Sequence, residues 1–187
     1  YKNYIHIIVN DGGDEAILKK LIEDTESSIR VITIDSGGYM EQATNAGIEL
    51  ALSYNIDYIT LLDDDDTWSP EYLAIMLKEL KFYRQRFPNI EGIVCQSNIV
   101  REKVEGNTVT TLDIEPHNKK LPKTGILPYE YLSKLENNFG VNQFLYSTNV
   151  LSKISRPIDG SYAIYASTQP VFGDWEFNLR FIQVAEI

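Results

Sequence analysis

The apolar positions of this chain fall into short runs that alternate between two periods. Tyr4 to Val9 (YIHIIV) is a continuous apolar run that stops at Asn10-Asp11-Gly12-Gly13, residues that favour a turn over further strand. Ala16, Ile17, Leu18, Leu21 and Ile22 recur at helical spacing, and Ile29 to Ile34 predicts a second strand that closes at Asp35-Ser36-Gly37-Gly38. The unit then repeats. Met40, Ala43, Gly47, Leu50 and Ala51 predict a helix with small residues on its packed face, and Tyr58 to Leu62 (YITLL) a third strand. That strand lacks alternation, which implies burial on both faces, as in a parallel sheet. Ser69-Pro70-Glu71 suits a helix start, with Ser as cap, Pro in the first turn and Glu at the positive dipole end. Leu73, Met76, Leu77 and Leu80 mark the amphipathic helix that follows, and Gly92 to Val100 a further strand. Residues 1 to 100 are therefore expected to form strand-helix units with a mostly parallel sheet, an α/β class.

Beyond residue 100 the order changes. Val100 to Val104 and Thr108 to Leu112 flank Glu105-Gly106-Asn107 and predict a hairpin. Residues 113 to 128 are polar and carry three prolines, which predicts a long loop. Tyr129 to Leu135 is expected to be a short helix, Gln143 to Tyr146 a short strand, residues 155 to 171 a second loop, and Asp174 to about Ala185 a last helix anchored by Trp175, Leu179 and Ile182. No repeat or linker divides the chain, so a single domain, 1–187, in two parts is expected, with a small second β part after residue 100.

The charge pattern sharpens the picture. The 187 residues carry a formal charge of −10. Residues 1 to 70 hold 14 acidic and 4 basic side chains, so the whole excess lies there. Long-range repulsion disfavours nucleic acid and anionic membranes as partners. One cysteine, Cys95, makes no internal disulfide, and two isolated histidines, His6 and His117, do not build a zinc cluster of the usual spacing, which suits a reducing compartment. No apolar run reaches the roughly 18 residues of a membrane span. The chain opens at Tyr1 almost directly on a strand, the expectation for a piece of a longer protein.

Four consecutive aspartates, Asp63 to Asp66, follow the third strand at its C-terminal end, where open α/β sheets bind ligands. A solvated turn is the ordinary role of such a run. Here Leu61-Leu62 precede it and Trp68 follows, so a partly desolvated carboxylate is expected, and a divalent cation with a preference for oxygen ligands would relieve the repulsion. Asp11, beside Gly12-Gly13 at the end of the first strand, opens onto the same edge and can accept from a base or ribose, or merely close a turn. Asp174 begins the last helix, as a cap or as a carboxylate held by its first amides.

Taken in order, these elements resemble family 2 of the glycosyltransferases, which have the GT-A fold. Asn10-Asp11-Gly12-Gly13 is similar to the family's DDGS element, Asn45-Ala46-Gly47-Ile48 to its N-x-G-I, and Leu62 to Pro70 (LDDDDTWSP) to its LD-x-DD-x-W-x-P. Gly173 to Arg180 (GDWEFNLR) is similar to its late DW element. The resemblance spans roughly residues 4 to 80 and 140 to 187. It implies a Rossmann-like, mostly parallel mixed sheet flanked by helices, with residues 1–100 binding a nucleotide sugar and 101–187 on the acceptor side. Asp11 and Gly12 would meet the nucleotide, Asp63 and Asp64 the ribose and diphosphate, and Asp65 with Asp63 the Mn2+ or Mg2+ ion on that diphosphate. Asp174 would be the general base of an inverting transfer from a nucleotide-diphospho-sugar, UDP-linked by expectation, to a glycan, lipid-linked or other hydroxyl acceptor. Trp175 would line the acceptor or sugar, or pack in the core. The implied setting is polysaccharide biosynthesis in the cytoplasm or at the inner face of a membrane. The chain departs from the family in three places. The earlier strand with its P-x-Y-N loop is absent, Thr44 stands where a basic residue often precedes the Asn, and Gly13 replaces Ser.

Asp63-x-Asp65-x-Thr67 also fits the nucleophile loop of haloacid-dehalogenase-like phosphatases, with Asp63 phosphorylated and Asp65 as acid/base. That reading expects an Asp at position 178, which is Asn. A non-catalytic binder of nucleotide sugars is a further alternative. A sugar-1-phosphate nucleotidyltransferase would show a Gly-rich basic loop near the first strand, and none is present.

Overall fold

The computed structural model describes residues 2–23, 25, 28–35, 40–117, 125–127, 139–154, 156–158, 161–163 and 173–187. The class is α/β with a mixed sheet content. Strands β1 (His6–Asp11) and β2 (Ile29–Ile34) pair in parallel, from His6 opposite Ile29 to Asp11 opposite Ile34. Between them runs helix α1 (Glu15–Ile22), capped by Asp14, whose carboxylate accepts from the Ala16 amide at 2.8 Å. Helix α2 (Met40–Leu52) packs on β1. Gly47 makes that approach possible, because a Cβ there would stand 3.0 Å from Val9 Cγ2.

The centre of the molecule is a second, three-stranded sheet. Strand β7 (Phe144–Ser147) lies antiparallel between β3 (Tyr58–Ile59) and β4 (Gly92–Val94). All four residues of β7 are buried, and their period of two splits them between layers. Phe144 and Tyr146 join Ile48, Ile59, Phe177 and Phe181 on one face, while Leu145 joins Tyr72, Met76, Leu80 and Ile90 on the other. The first face is covered by α2, α4 (Thr148–Ile154) and α5 (Gly173–Phe181), and the second by α3 (Tyr72–Arg84). A full burial of one such side chain contributes about 1.5–3 kcal/mol, so this double-sided strand is the main cohesive element.

Several boundaries differ from expectation, each for a local reason. Strand β3 is two residues long, since the chain leaves the ladder at Thr60, whose hydroxyl donates instead to the Phe144 carbonyl at 2.7 Å. Helix α3 begins at Tyr72, and Ser69 closes the preceding turn with its carbonyl, which accepts from the Tyr72 amide at 3.0 Å, in place of a side-chain cap. The expected strand over residues 92–100 is two strands, β4 and β5 (Asn98–Glu105), separated at 95–97.

Strand β5 pairs with β6 (Thr108–Pro116) about the two-residue turn Gly106-Asn107, with Gly106 at φ 60°. The predicted hairpin is therefore present and longer, and residues 113–116, expected in a loop, extend β6. Arg101 on this hairpin reaches Asp113 at 3.2 Å and Glu115 at 2.6 Å. Within the second expected loop, β8 (Arg156–Ile158) and β9 (Ser161–Ala163) pair antiparallel. The helix expected at 129–135 lies outside the described residues.

Helix α5 spans Gly173–Phe181, shorter than expected, and its buried residues are Phe177, Asn178 and Phe181. Trp175, Leu179 and Ile182, the expected anchors, are half-buried. Both sets share helical spacing. Tyr146 decides between them: its ring meets Phe177 edge-on at 4.9 Å and Phe181 at 5.0 Å, and its hydroxyl donates to Asn178 Oδ1 at 2.5 Å.

Candidate functional site

The four aspartates form one β-turn. The Asp66 amide donates to the Asp63 carbonyl at 3.2 Å, which places Asp64 and Asp65 at the exposed tip and Asp63, half-buried, at the strand side. Burial raises the Asp63 carboxyl above its ordinary value. The neighbouring charges of Asp66, Asp65, Asp174 and Asp64 raise it further. The expected desolvated carboxylate is thus Asp63.

Asp174 reaches this turn from the far end of the chain. It is the second residue of α5, and its Oδ1 accepts from the Trp175 amide at 2.8 Å, which fixes the carboxylate in the first turn of the helix. Its preceding residue, Gly173, is packed on Glu41 of α2. A Cβ on Gly173 would fall 2.6 Å from Glu41 Oε1. Glu41 is only 5% exposed, and nothing in its local sequence separates it from a solvent-facing helix residue.

Asp11 ends β1 and is exposed, followed by Gly12 at φ 78°. The Asn10 side chain folds over this turn, Nδ2 donating to the Gly13 carbonyl at 2.9 Å. A Cβ at Gly13 would stand 2.5 Å from Asn10 Oδ1, which explains glycine where a serine was expected. Asp11 is not among the charges that act on Asp63. The Asp174 charge thus acts on the acidic turn, and Asp11 ends the parallel pair β1–β2.

The acidic turn is stitched to the segment before β7, a connection the sequence did not suggest. Asn142 Nδ2 donates to Asp66 Oδ2 at 2.6 Å, and Trp68 Nε1 donates to the Asn142 carbonyl at 2.8 Å. The Trp68 ring stacks on Tyr72 at 4.4 Å, and burial pushes the Tyr72 hydroxyl well above its ordinary pKa.

Among the described residues no three His, Cys, Asp or Glu side chains stand close enough together to hold a metal ion by themselves. The donor set here is carboxylate oxygen only. Such a set suits Mg2+ or Mn2+ held by one or two carboxylates, with phosphate oxygens and water completing the shell.

Residues 1–133 match the family model described as Glycosyl transferase family 2, and the chain belongs to that family of glycosyltransferases. The match takes in Asp11 and the whole acidic turn and ends before α5. Comparison with curated proteins and with solved structures gives no match. Membership favours transfer from a sugar donor over the phosphatase reading. Asn178, at the position that reading needs as a metal ligand, spends its carboxamide on Tyr146 in the core. No described helix is long and apolar enough to cross a membrane.

Proposed function

We propose that the chain catalyses metal-dependent, inverting transfer of a sugar from a nucleotide-diphospho-sugar, a UDP-sugar by preference, to an acceptor hydroxyl. The observation that carries this reading is that the Asp174 charge acts on Asp63, in the turn that follows β3. One carboxylate sits where the donor's diphosphate is expected and the other comes from the half of the chain assigned to the acceptor.

In this reading Asp11 and Gly12 receive the base and ribose, and Asp63 and Asp64 the ribose and diphosphate. Asp63 and Asp65 would hold the divalent ion, which when bound neutralises the leaving diphosphate. Asp63 is suited to that role because its burial and its acidic neighbours make its free anion costly, a cost that a bound cation offsets. Asp174 accepts the proton of the acceptor hydroxyl as that oxygen attacks the anomeric carbon. The Trp175 amide keeps its carboxylate oriented, and the half-buried Trp175 ring offers an apolar wall beside it. Residues 1–100 then form the nucleotide-sugar half and 101–187 the acceptor half.

Titration of UDP in the presence of Mn2+, read through Trp68 and Trp175 fluorescence, tests the binding side of this proposal. Saturable quenching that requires the metal and is lost in Asp65→Ala supports it. Metal-independent binding contradicts it.

A further inference from the structure

We infer that Asn142 is a positioning residue of the acidic turn, and that Asp66 serves as the turn's anchor and takes no part in holding the cation. The inference rests on the cation-and-nucleotide reading above and assigns the working carboxylates within it.

The argument starts from the platform that carries Asn142. Residues Val141–Gln143 form a single 3-10 turn whose Gln143 side chain is 1% exposed. Gln143 Oε1 accepts from the Gly140 amide at 2.7 Å, and its Nε2 donates to the Cys95 carbonyl at 2.8 Å. The Cys95 amide returns a bond to the Gln143 carbonyl at 3.0 Å. This turn is therefore fixed to the end of β4. Gly140 also leaves room for the Asn142 side chain, since a Cβ there would stand 2.8 Å from Asn142 Oδ1.

From that platform Asn142 grips the acidic turn at two points beyond its tip, Asp66 by its side chain and Trp68 by its carbonyl. A third tie lies before the turn, where Thr60 donates to the Phe144 carbonyl. The segment 60–68 is thus pinned on both sides to residues 142–144. An Asn amide nitrogen is a donor only, so the bond to Asp66 requires the anionic or acceptor face of that carboxylate. The Oδ2 oxygen of Asp66 is thereby engaged by the platform. Asp63, Asp64 and Asp65 are left as the carboxylates presented by a turn of fixed shape, Asp63 and Asp65 being the cation pair of the reading above. Groups that orient metal ligands typically cost 10–100-fold in affinity when removed.

The test uses the full chain with MnCl2 in the presence of UDP, whose phosphates complete the shell of the ion, read by quenching of Trp68 and Trp175 fluorescence, and hydrogen exchange of residues 63–68 without metal. Asn142→Ala is expected to speed exchange across the turn and weaken Mn2+ binding about tenfold, with little change in the thermal midpoint. Asp66→Asn keeps an acceptor for Asn142 and is expected to retain Mn2+ within a few-fold. The exchanged pair D66N/N142D, which reverses donor and acceptor, is expected to keep both readouts near those of the unaltered chain. Unchanged Mn2+ affinity in Asn142→Ala overturns the inference alone. Loss of Mn2+ binding in Asp66→Asn that D66N/N142D does not restore also overturns it, and makes Asp66 a ligand. Absence of Mn2+ uptake by the unaltered chain in the presence of UDP removes the cation reading itself, and this inference with it.

Discussion

Asp174, in the first turn of the last helix, sets its charge against Asp63 in the turn after β3, more than a hundred positions earlier in the chain. This charge interaction relates the family's acidic turn to a residue outside the matched region. Asp63 is held in its charged form at a cost. The other three aspartates of the turn act on it in the same direction as Asp174.

That cost predicts a pH-dependent stability effect. The folded-state pKa of Asp63 is raised, so its penalty is fully present above the folded value and fades as pH falls through that value towards the ordinary 3.8. Asp63→Asn is therefore expected to stabilise the metal-free protein at pH 7 by a few tenths of a kcal/mol, screened by solvent. Urea denaturation at neutral pH and near pH 4 checks the sign. The advantage should shrink at the lower pH, and added Mn2+ should raise the midpoint of the unaltered chain more than that of the variant.

Tyr146 and Asn178 predict a structural effect beneath the site. Tyr146→Phe keeps the ring contacts with Phe177 and Phe181 and removes the donor to buried Asn178 Oδ1. A loss of about 1–3 kcal/mol is expected. Scanning calorimetry should show a midpoint lower by about 2–4 °C per kcal/mol for a domain of this size. Because this bond seats α5, a fall in turnover larger than the fall in folded fraction is also expected.

Gly47 predicts a packing effect on the nucleotide half. With a Cβ already 3.0 Å from Val9 Cγ2, Gly47→Val forces α2 off β1. Val9 is β-branched and has little χ1 freedom with which to yield. The expected loss is about 1–3 kcal/mol from overpacking, measured by urea denaturation, together with weaker UDP binding through the displaced end of β1 at Asp11.

Much of the architecture was legible because it is local. Strands β1 and β2, helices α1 and α2 and the hairpin about Gly106 are each written in a period or a turn signal near the residues that form them. Placing β7 between β3 and β4 was not legible, since pairings across some ninety and some fifty positions leave no local mark. For α5 two helical stripes were available, and only the position of Tyr146 selects Phe177 and Phe181 over Trp175, Leu179 and Ile182. The acidic turn was legible from composition alone, as was the partial burial of a carboxylate from the flanking Leu61-Leu62 and Trp68, although Leu62 itself is exposed and Leu61 packs on the core. Asn142 and Glu41 were not: each is a single polar residue whose meaning comes entirely from a distant partner, Asp66 for one and Gly173 for the other.

The most direct test of the proposed transfer is release of nucleoside diphosphate from a panel of UDP-hexoses and UDP-N-acetylhexosamines with Mn2+, comparing the unaltered chain with Asp174→Asn. The account predicts metal-dependent release from at least one donor. In Asp174→Asn it should fall by about 100-fold or more while UDP and Mn2+ still bind. Release by Asp174→Asn at the unaltered rate would contradict it.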